Sequence, residues 1–303
     1  NSQGSYTVYP GGGADQNLVI TAVPTFLTNG LGWSTSGNPT PVSAVIQDNT
    51  LALTTGAGNS TRAAFFQTPM PIGAFRASFI YQDLGSGGAD GFAFCLQNDP
   101  RGAAALGGGG GGLGVSGITP SAELTFNIYS GSPGGPGFSF GTNGANGSPY
   151  TSTAPVDISS GDPIAVTIIY NKGVVGLTLT DTNNSNTFTT NVPVGNLPLI
   201  VGAATAYVGF TGADGGIASA QIVSDFAFVP LSTLSVSASG GNVILSWPVL
   251  PAGYVLQSES DLTANNWQNV TTAPVQTGGQ NQVTLPFSGN NTFYRLSIPV
   301  PQQ

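Results

Sequence analysis

The sequence predicts an all-β chain made of two sandwiches of unequal size, on three observations. Short, alternating, β-branched runs recur along its length, as in AVTII at 165–169, GLTLT at 176–180 and AYVGFT at 206–211. Each run is bounded by Asn, Gly, Asp or Pro, the residues that turn a chain. The composition is also that of a folded, turn-rich protein: 45 Gly and 22 Pro among 303 residues, 40% hydrophobic and only 6% charged. No segment reads as a helix.

In chain order, residues 1–10 (NSQGSYTVYP) place a short strand, SYTVY, before a Pro-Gly-Gly-Gly hinge. Such an arm either pairs within its own sandwich or adds to a neighbour's sheet edge. Further strands are expected over Asn49–Thr54, Ala63–Gln67 and Ala74–Gln82, and Asn171-Lys172-Gly173 is expected to turn one later strand into the next. Strands of this length and spacing form sandwiches. A boundary falls near Pro230, where IVSDFAFVP ends one series and LSTLSVSASGGNVILSW opens another. Residues 231–303 then hold five or six strands, from GNVILSWP to NTFYRLSIP. Trp247, Trp267, Tyr254 and Phe293 are expected in the core of this second unit, since a small domain needs large aromatics to bury enough apolar area.

Composition also excludes. The chain has no His, one Cys, five Lys+Arg and thirteen Asp+Glu, for a net charge of −8. Without His there is no Ser-His-Asp triad, no Cys-His pair and no imidazole metal site. An enzyme is therefore not expected, nor a cofactor. The few basic residues do not suit nucleic acid or an anionic membrane surface. No apolar stretch approaches the roughly 20 residues of a membrane span, so insertion is not expected. Cys95 has no partner, and alternation in FAFCLQ puts it opposite Phe94 as a buried, inert thiol. The first residue is Asn1 rather than Met, which points to a removed signal peptide and an extracellular or cell-surface protein.

The most specific stretch is 88–114, GADGFAFCLQNDPRGAAALGGGGGGLG. Its six-glycine run is not a phosphate cradle, since neither Lys-Ser/Thr nor a helix start follows. Glycines instead let a ligand approach the backbone closely. In order come DGFAF at Asp90–Phe94, the glycine loop through Leu113-Gly114, a strand at Glu123–Tyr129 and YVGFTGADGG at Tyr207–Gly216. This series resembles an L-type (legume-like) lectin domain of bacterial secreted type, covering residues 1–230. Residues 231–303 resemble the small fibronectin type III-like modules at the C-termini of secreted bacterial proteins. The resemblance implies a concanavalin-like jelly-roll sandwich with a sugar pocket walled by Asp90, by the backbone of Gly110 and Gly111, and by Ala213, Asp214 and Gly215.

The chain departs from that family at the strand and loop whose carboxylates and His hold a calcium and a transition-metal ion. Aligned on Phe126 and Tyr129, Thr125 stands at the family's Glu, Asn127 at its first Asp and Gly131 at its Asn. Calcium takes six to eight oxygens, usually including several carboxylates. A metal pair is therefore not expected, and the Ala89–Asp90 peptide, cis in legume lectins beside their calcium, is expected to be trans. Glucanases that share the sandwich need Glu-x-Asp-x-x-Glu on one strand. The only glutamates here are Glu123 and Glu259, and AELTFNIY offers no second carboxylate.

Two functions from different classes follow. The first is a non-enzymatic structural or adhesive surface protein that self-assembles as a homo-oligomer, filament or matrix subunit, in part through the N-terminal arm. The lost metal ligands favour it, as does a surface too poor in charge to repel its own copies. The alternative is a secreted, calcium-independent lectin for neutral glycans. Sequons at Asn59, Asn146, Asn183, Asn269 and Asn290 fall often by chance in so Asn/Ser/Thr-rich a chain.

Overall fold

The structure is a computed structural model that describes residues 24–27, 29–38, 45–85, 88–249, 254–264, 266–287 and 292–297. The expected arm at residues 1–10 lies outside them. Two compact units meet in sequence between Val229 and Pro230.

The first unit contains, in order, β1 (Trp33–Asn38), β2 (Val45–Gln47), β3 (Thr50–Ala52), β4 (Thr61–Phe66), β5 (Met70–Pro71), β6 (Phe75–Asp83), β7 (Gly91–Gln97), β8 (Ser121–Asn127), β9 (Gly137–Thr142), β10 (Ile164–Asn171), β11 (Val174–Asp181), β12 (Thr187–Pro193), β13 (Thr205–Ala213) and β14 (Gln221–Pro230). A front sheet runs β1-β4-β13-β7-β8-β9, with β5 also on β13, and a back sheet runs β12-β11-β10-β6-β14-β3-β2. The sequence's periodicity explains the layering. Along β6, FRASFIYQD alternates buried and open positions at period two, sending Phe75, Ala77, Phe79 and Tyr81 inward. Phe92, Phe94, Phe126 and Phe210 of the front sheet meet them, with Phe79 edge-on to Phe210 at 5.0 Å and Phe92 stacked on Phe126 at 4.7 Å. The Asn171-Lys172-Gly173 turn forms as expected: Lys172 and Gly173 take φ of 48° and 84°, the left-handed pair that suits a two-residue hairpin.

On the outer face of the front sheet lies a second, smaller cluster. Ala63, Phe65, Ala93 and Cys95 point out of the sheet and are covered by Leu113, Val115, Ile118 and Tyr150. Cys95 is thus buried opposite Phe94, as alternation required. One helical turn that the sequence reading did not anticipate, α1 (Leu197–Ile200), starts at Asn196, whose side chain accepts from Leu199 N–H.

The second unit has β15 (Ser235–Ser239), β16 (Asn242–Pro248), β17 (Val255–Glu259), β18 (Gln268–Asn269), β19 (Val275–Thr277), β20 (Gln280–Pro286) and β21 (Phe293–Ser297), in sheets β15-β16-β20-β19 and β18-β17-β21. Trp247 is buried with Leu245, Leu256 and Val283, and Tyr254 packs against them half-buried. Two of the expected core aromatics lie elsewhere. Phe293 is 38% exposed on an outer strand. Trp267, beside the two-residue strand β18, lies under the Arg295 guanidinium at 4.3 Å, and a cation kept hydrated holds that ring at the surface.

Candidate functional site

Asp90 stands at the end of the first sandwich, immediately before β7. Its N–H donates to Ala213 O at 3.1 Å, and its carbonyl accepts Ile128 N–H at 3.0 Å. The Ala89–Asp90 peptide is cis, which corrects the trans expectation. The expectation had tied this geometry to calcium, whereas here the ends of β13 and β8 fix the residue through the backbone. The next residue must be glycine: Gly91 has φ 141°, and a Cβ there would collide with Phe126 O.

The glycine run is an ordered wall. Gly107 N–H donates to Gly114 O at 2.8 Å, Gly108 N–H to Ser116 O at 2.8 Å, and the Thr211 hydroxyl to Leu113 O at 2.8 Å. Gly110–Gly112 form one 3-10 turn. This wall and the loop after β13 close on the Asp90 carboxylate: a Cβ would lie 3.6 Å from Asp90 Oδ2 if placed on Gly110 and 3.2 Å if placed on Gly215. Asp90, Gly110 and Gly215 therefore border one cradle, whereas a Cβ on Gly111 would meet nothing within 4 Å, Asp90 included. Among the described residues none donates a hydrogen bond to the half-buried Asp90 carboxylate. Burial first, then Asp214, raises its pKa.

Ala213 and Asp214 support the cradle from behind. The Ala213 carbonyl is taken by Asp90 N–H and by Gln221 Nε2 at 3.1 Å. The Asp214 carboxylate is buried and turns to Ser60, accepting its N–H at 2.6 Å and its hydroxyl at 2.9 Å. Its contribution to the cradle is negative charge.

Sequence reading missed two neighbours of the cradle. Asn146 Nδ2 donates to Gly111 O at 2.8 Å, bracing the glycine wall from a loop with no counterpart in the motifs. Tyr150, in the outer cluster, lies near enough to Asp90 that burial and then this carboxylate push its hydroxyl up to about 12. The only sequence signal at either was the Asn146 sequon, which concerns another property.

The residues at the family's metal positions do not fit a metal. The Thr125 hydroxyl shares its one proton between Asn146 O at 2.8 Å and Ser139 O at 3.2 Å. Asn127 Nδ2 donates to Tyr129 O at 2.9 Å and Gly135 O at 2.8 Å, while its Oδ1 accepts from Ser132 at 3.0 Å. Gly131 has no side chain to offer an ion, and a Cβ there would collide with the Tyr129 ring. The side-chain polar atoms of Asn127 are thus spent within its own loop, and the Thr125 hydroxyl on β9 and the loop after it. No group of three or more His, Cys, Asp or Glu among the described residues comes together to hold a metal ion. No described helix is long and apolar enough to cross a membrane.

With fold and cradle established, solved structures provide the comparison. The chain is similar to the lectin of Bauhinia forficata in complex with GalNAc, at 17% identity over 69% of this chain and 96% of that one, with a TM-score of 0.57. It is similar to lectin I-B4 of Griffonia simplicifolia in metal-free form, at 18% identity over 69% and 98%, TM-score 0.56. Arcelin-5 of Phaseolus vulgaris, a lectin-like defense protein, aligns at 20% identity over 68% and 95%, TM-score 0.53. The fold is the legume-lectin jelly roll. No protein-family description and no curated protein sequence matches the chain.

Proposed function

We propose that this chain is an extracellular, non-enzymatic glycan-binding protein that works without a metal. Residues 1–230 form the binding unit, and residues 231–303 are an accessory module. The observation that carries this reading is the Asp90 carboxylate: it has no donor among the described residues, it is half-open to solvent, and glycine backbone borders it on two sides. Such a group accepts two hydroxyl protons from one sugar ring, in charge-assisted hydrogen bonds. Glycine at 110 and 215 leaves the room that a Cβ would take. Arg62 stands close enough to Asp214 to offset part of its charge, whereas no described cation offsets the Asp90 carboxylate; that charge selects against acidic sugars, so neutral glycans are the expected class. The test is a glycan array probed with chelator present, using the chain and Asp90→Ala. Binding by the first and not the second supports the reading; no binding by either overturns it.

One observation favours self-assembly as a second reading. Strand β12, TFTTNVP, is an outer strand of the back sheet, carries no charge, and has no partner on its outer side among the described residues. Natural edges are usually blunted with charge. A second copy adding along β12 would give a salt-resistant dimer. Sedimentation of the chain and of Thr190→Lys decides: a monomer at all concentrations removes this reading.

A further inference from the structure

Glu123 sits in mid-β8 on the outer face of the front sheet, paired with Cys95 of β7 and Gly141 of β9. It is 1% exposed, and neither carboxyl oxygen has a hydrogen-bond partner. The Ser121 hydroxyl and the N–H groups of Gly144 and Ala145 lie near enough to favour the ionised carboxyl against burial, yet each points its hydrogen at another acceptor. Ser121 donates to Ile118 O at 2.8 Å, Gly144 to Ser121 Oγ at 3.0 Å and Ala145 to Thr142 O at 3.2 Å. An unpartnered buried carboxylate is costly, whereas the neutral acid fits.

The loop over this carboxyl is the one that braces the cradle. A Cβ on Gly141 would lie 3.1 Å from Glu123 Oε1, and five residues on, Asn146 holds Gly111. The titratable groups on this face offer Glu123 no positive charge. Cys95 is buried and its thiol is pushed up, Tyr150 is neutral, and Asp99 is held ionised by Arg101 at 2.7 Å, which spends that cation.

We infer that Glu123 is a pH-responsive latch on the sugar cradle, an inference that rests on the glycan-binding reading. Neutral, it leaves the 141–147 loop closed, with Asn146 on the glycine wall. Ionised, it draws the Gly144 and Ala145 N–H groups to itself, and Asn146 releases Gly111. Affinity then falls as pH rises. Burial pushes the carboxyl up to about 7, above the roughly 4.3 of an unfolded glutamate. The proton bound by the folded state therefore stabilises it below the unfolded value, and that contribution is lost as pH rises towards the folded one.

Three measurements on the full chain test the latch. With only two glutamates, the buried Glu123 and the half-buried Glu259, carbon-13 labelling of the glutamate carboxyls gives two resonances to titrate, the Glu123 signal being the one lost in Glu123→Gln. The buried one should move near neutrality; a midpoint in the ordinary carboxylate range overturns the latch. Hydrogen exchange of Gly144, Ala145 and Asn146, corrected for base catalysis, should quicken about tenfold per pH unit below that midpoint and level off above it, as one proton lost per opening requires. Glu123→Gln should remove the pH dependence, and flat exchange in the unaltered chain sinks the proposal even if the variant fails to fold. Retention on agarose bearing galactose, mannose or N-acetylglucosamine separates the two ideas: pH-dependent exchange without retention keeps the latch and rejects the glycan reading, whereas retention that ignores pH does the reverse.

Discussion

The two faces of the front sheet are made by the same strands and do opposite work. Inward, β7, β8 and β13 present Phe92, Phe94, Phe126 and Phe210, which interlock with rings of the back sheet. Outward, the same strands present Ala93, Cys95, Glu123, Thr125 and Thr211, which are small or polar. Large rings on one side hold the two sheets together. Small groups on the other let residues 99–118 and 141–150 lie flat on the sheet and deliver the glycine wall to Asp90. Stability and site geometry are thus assigned to alternate residues of one strand.

The largest expected effect comes from breaking the inner face. Phe210 touches Phe26, Phe79, Phe94 and Phe226. Phe210→Ala should cost about 3–5 kcal/mol, the range for a fully buried ring, whereas Cys95→Ala on the outer face should cost about 1 kcal/mol. Urea unfolding of both variants checks the contrast, and equal losses would refute the division of labour.

Next comes the anchor of the outer layer. Asp99 is held well below the usual carboxylate range, first by the Arg101 side chain and then, against burial, by the N–H groups of Thr119 and Arg101. Arg101 also donates to Leu106 O at 2.7 Å and Gly117 O at 3.1 Å, tying both ends of the glycine segment to one guanidinium. Arg101→Ala should cost about 1–3 kcal/mol, the range for stripping a buried polar group of its partner. Because the folded pKa is depressed, the Asp99 contribution is present above the unfolded value of about 3.9 and lost as pH falls below it. The variant should therefore lose stability less steeply in acid than the parent, as melting curves across that range will show.

How much of this was legible follows the same division. Inner-face alternation is a signal of period two, so β6, β7, β10, β11 and β13 could be read from the sequence, along with the side taken by Cys95. Asp90 and the glycine wall were legible because DGFAF and the glycine run are local motifs. Asn146 and the burial of Glu123 were not, since both depend on a loop folding back over the outer face, and no local pattern encodes that docking. Nor could sequence spacing show that Asp214 turns inward to Ser60, 154 residues away in the chain. Trp267 misled for a related reason: aromatic size argues for burial, but Arg295 arrives from a strand formed 28 residues later.

The smallest expected effect is that of chelation, and it bears on the outer face alone. If the loop of residues 127–135 were held by an ion, removing that ion would release Asn127 and, through Thr125, the Asn146 brace on Gly111. Its side-chain hydrogen bonds instead run between neutral partners, Asn127 to two carbonyls and one hydroxyl, and the neighbouring Thr125 hydroxyl likewise turns to carbonyls, of Ser139 and Asn146. Each such bond contributes about 0.5–1.5 kcal/mol, and none depends on solution metal. Melting with excess calcium and with excess chelator should therefore coincide, while Asn127→Ala should lower stability in both. A melting point that drops on chelation, and is restored by calcium, would show that the loop is held by an ion rather than by its own side chains.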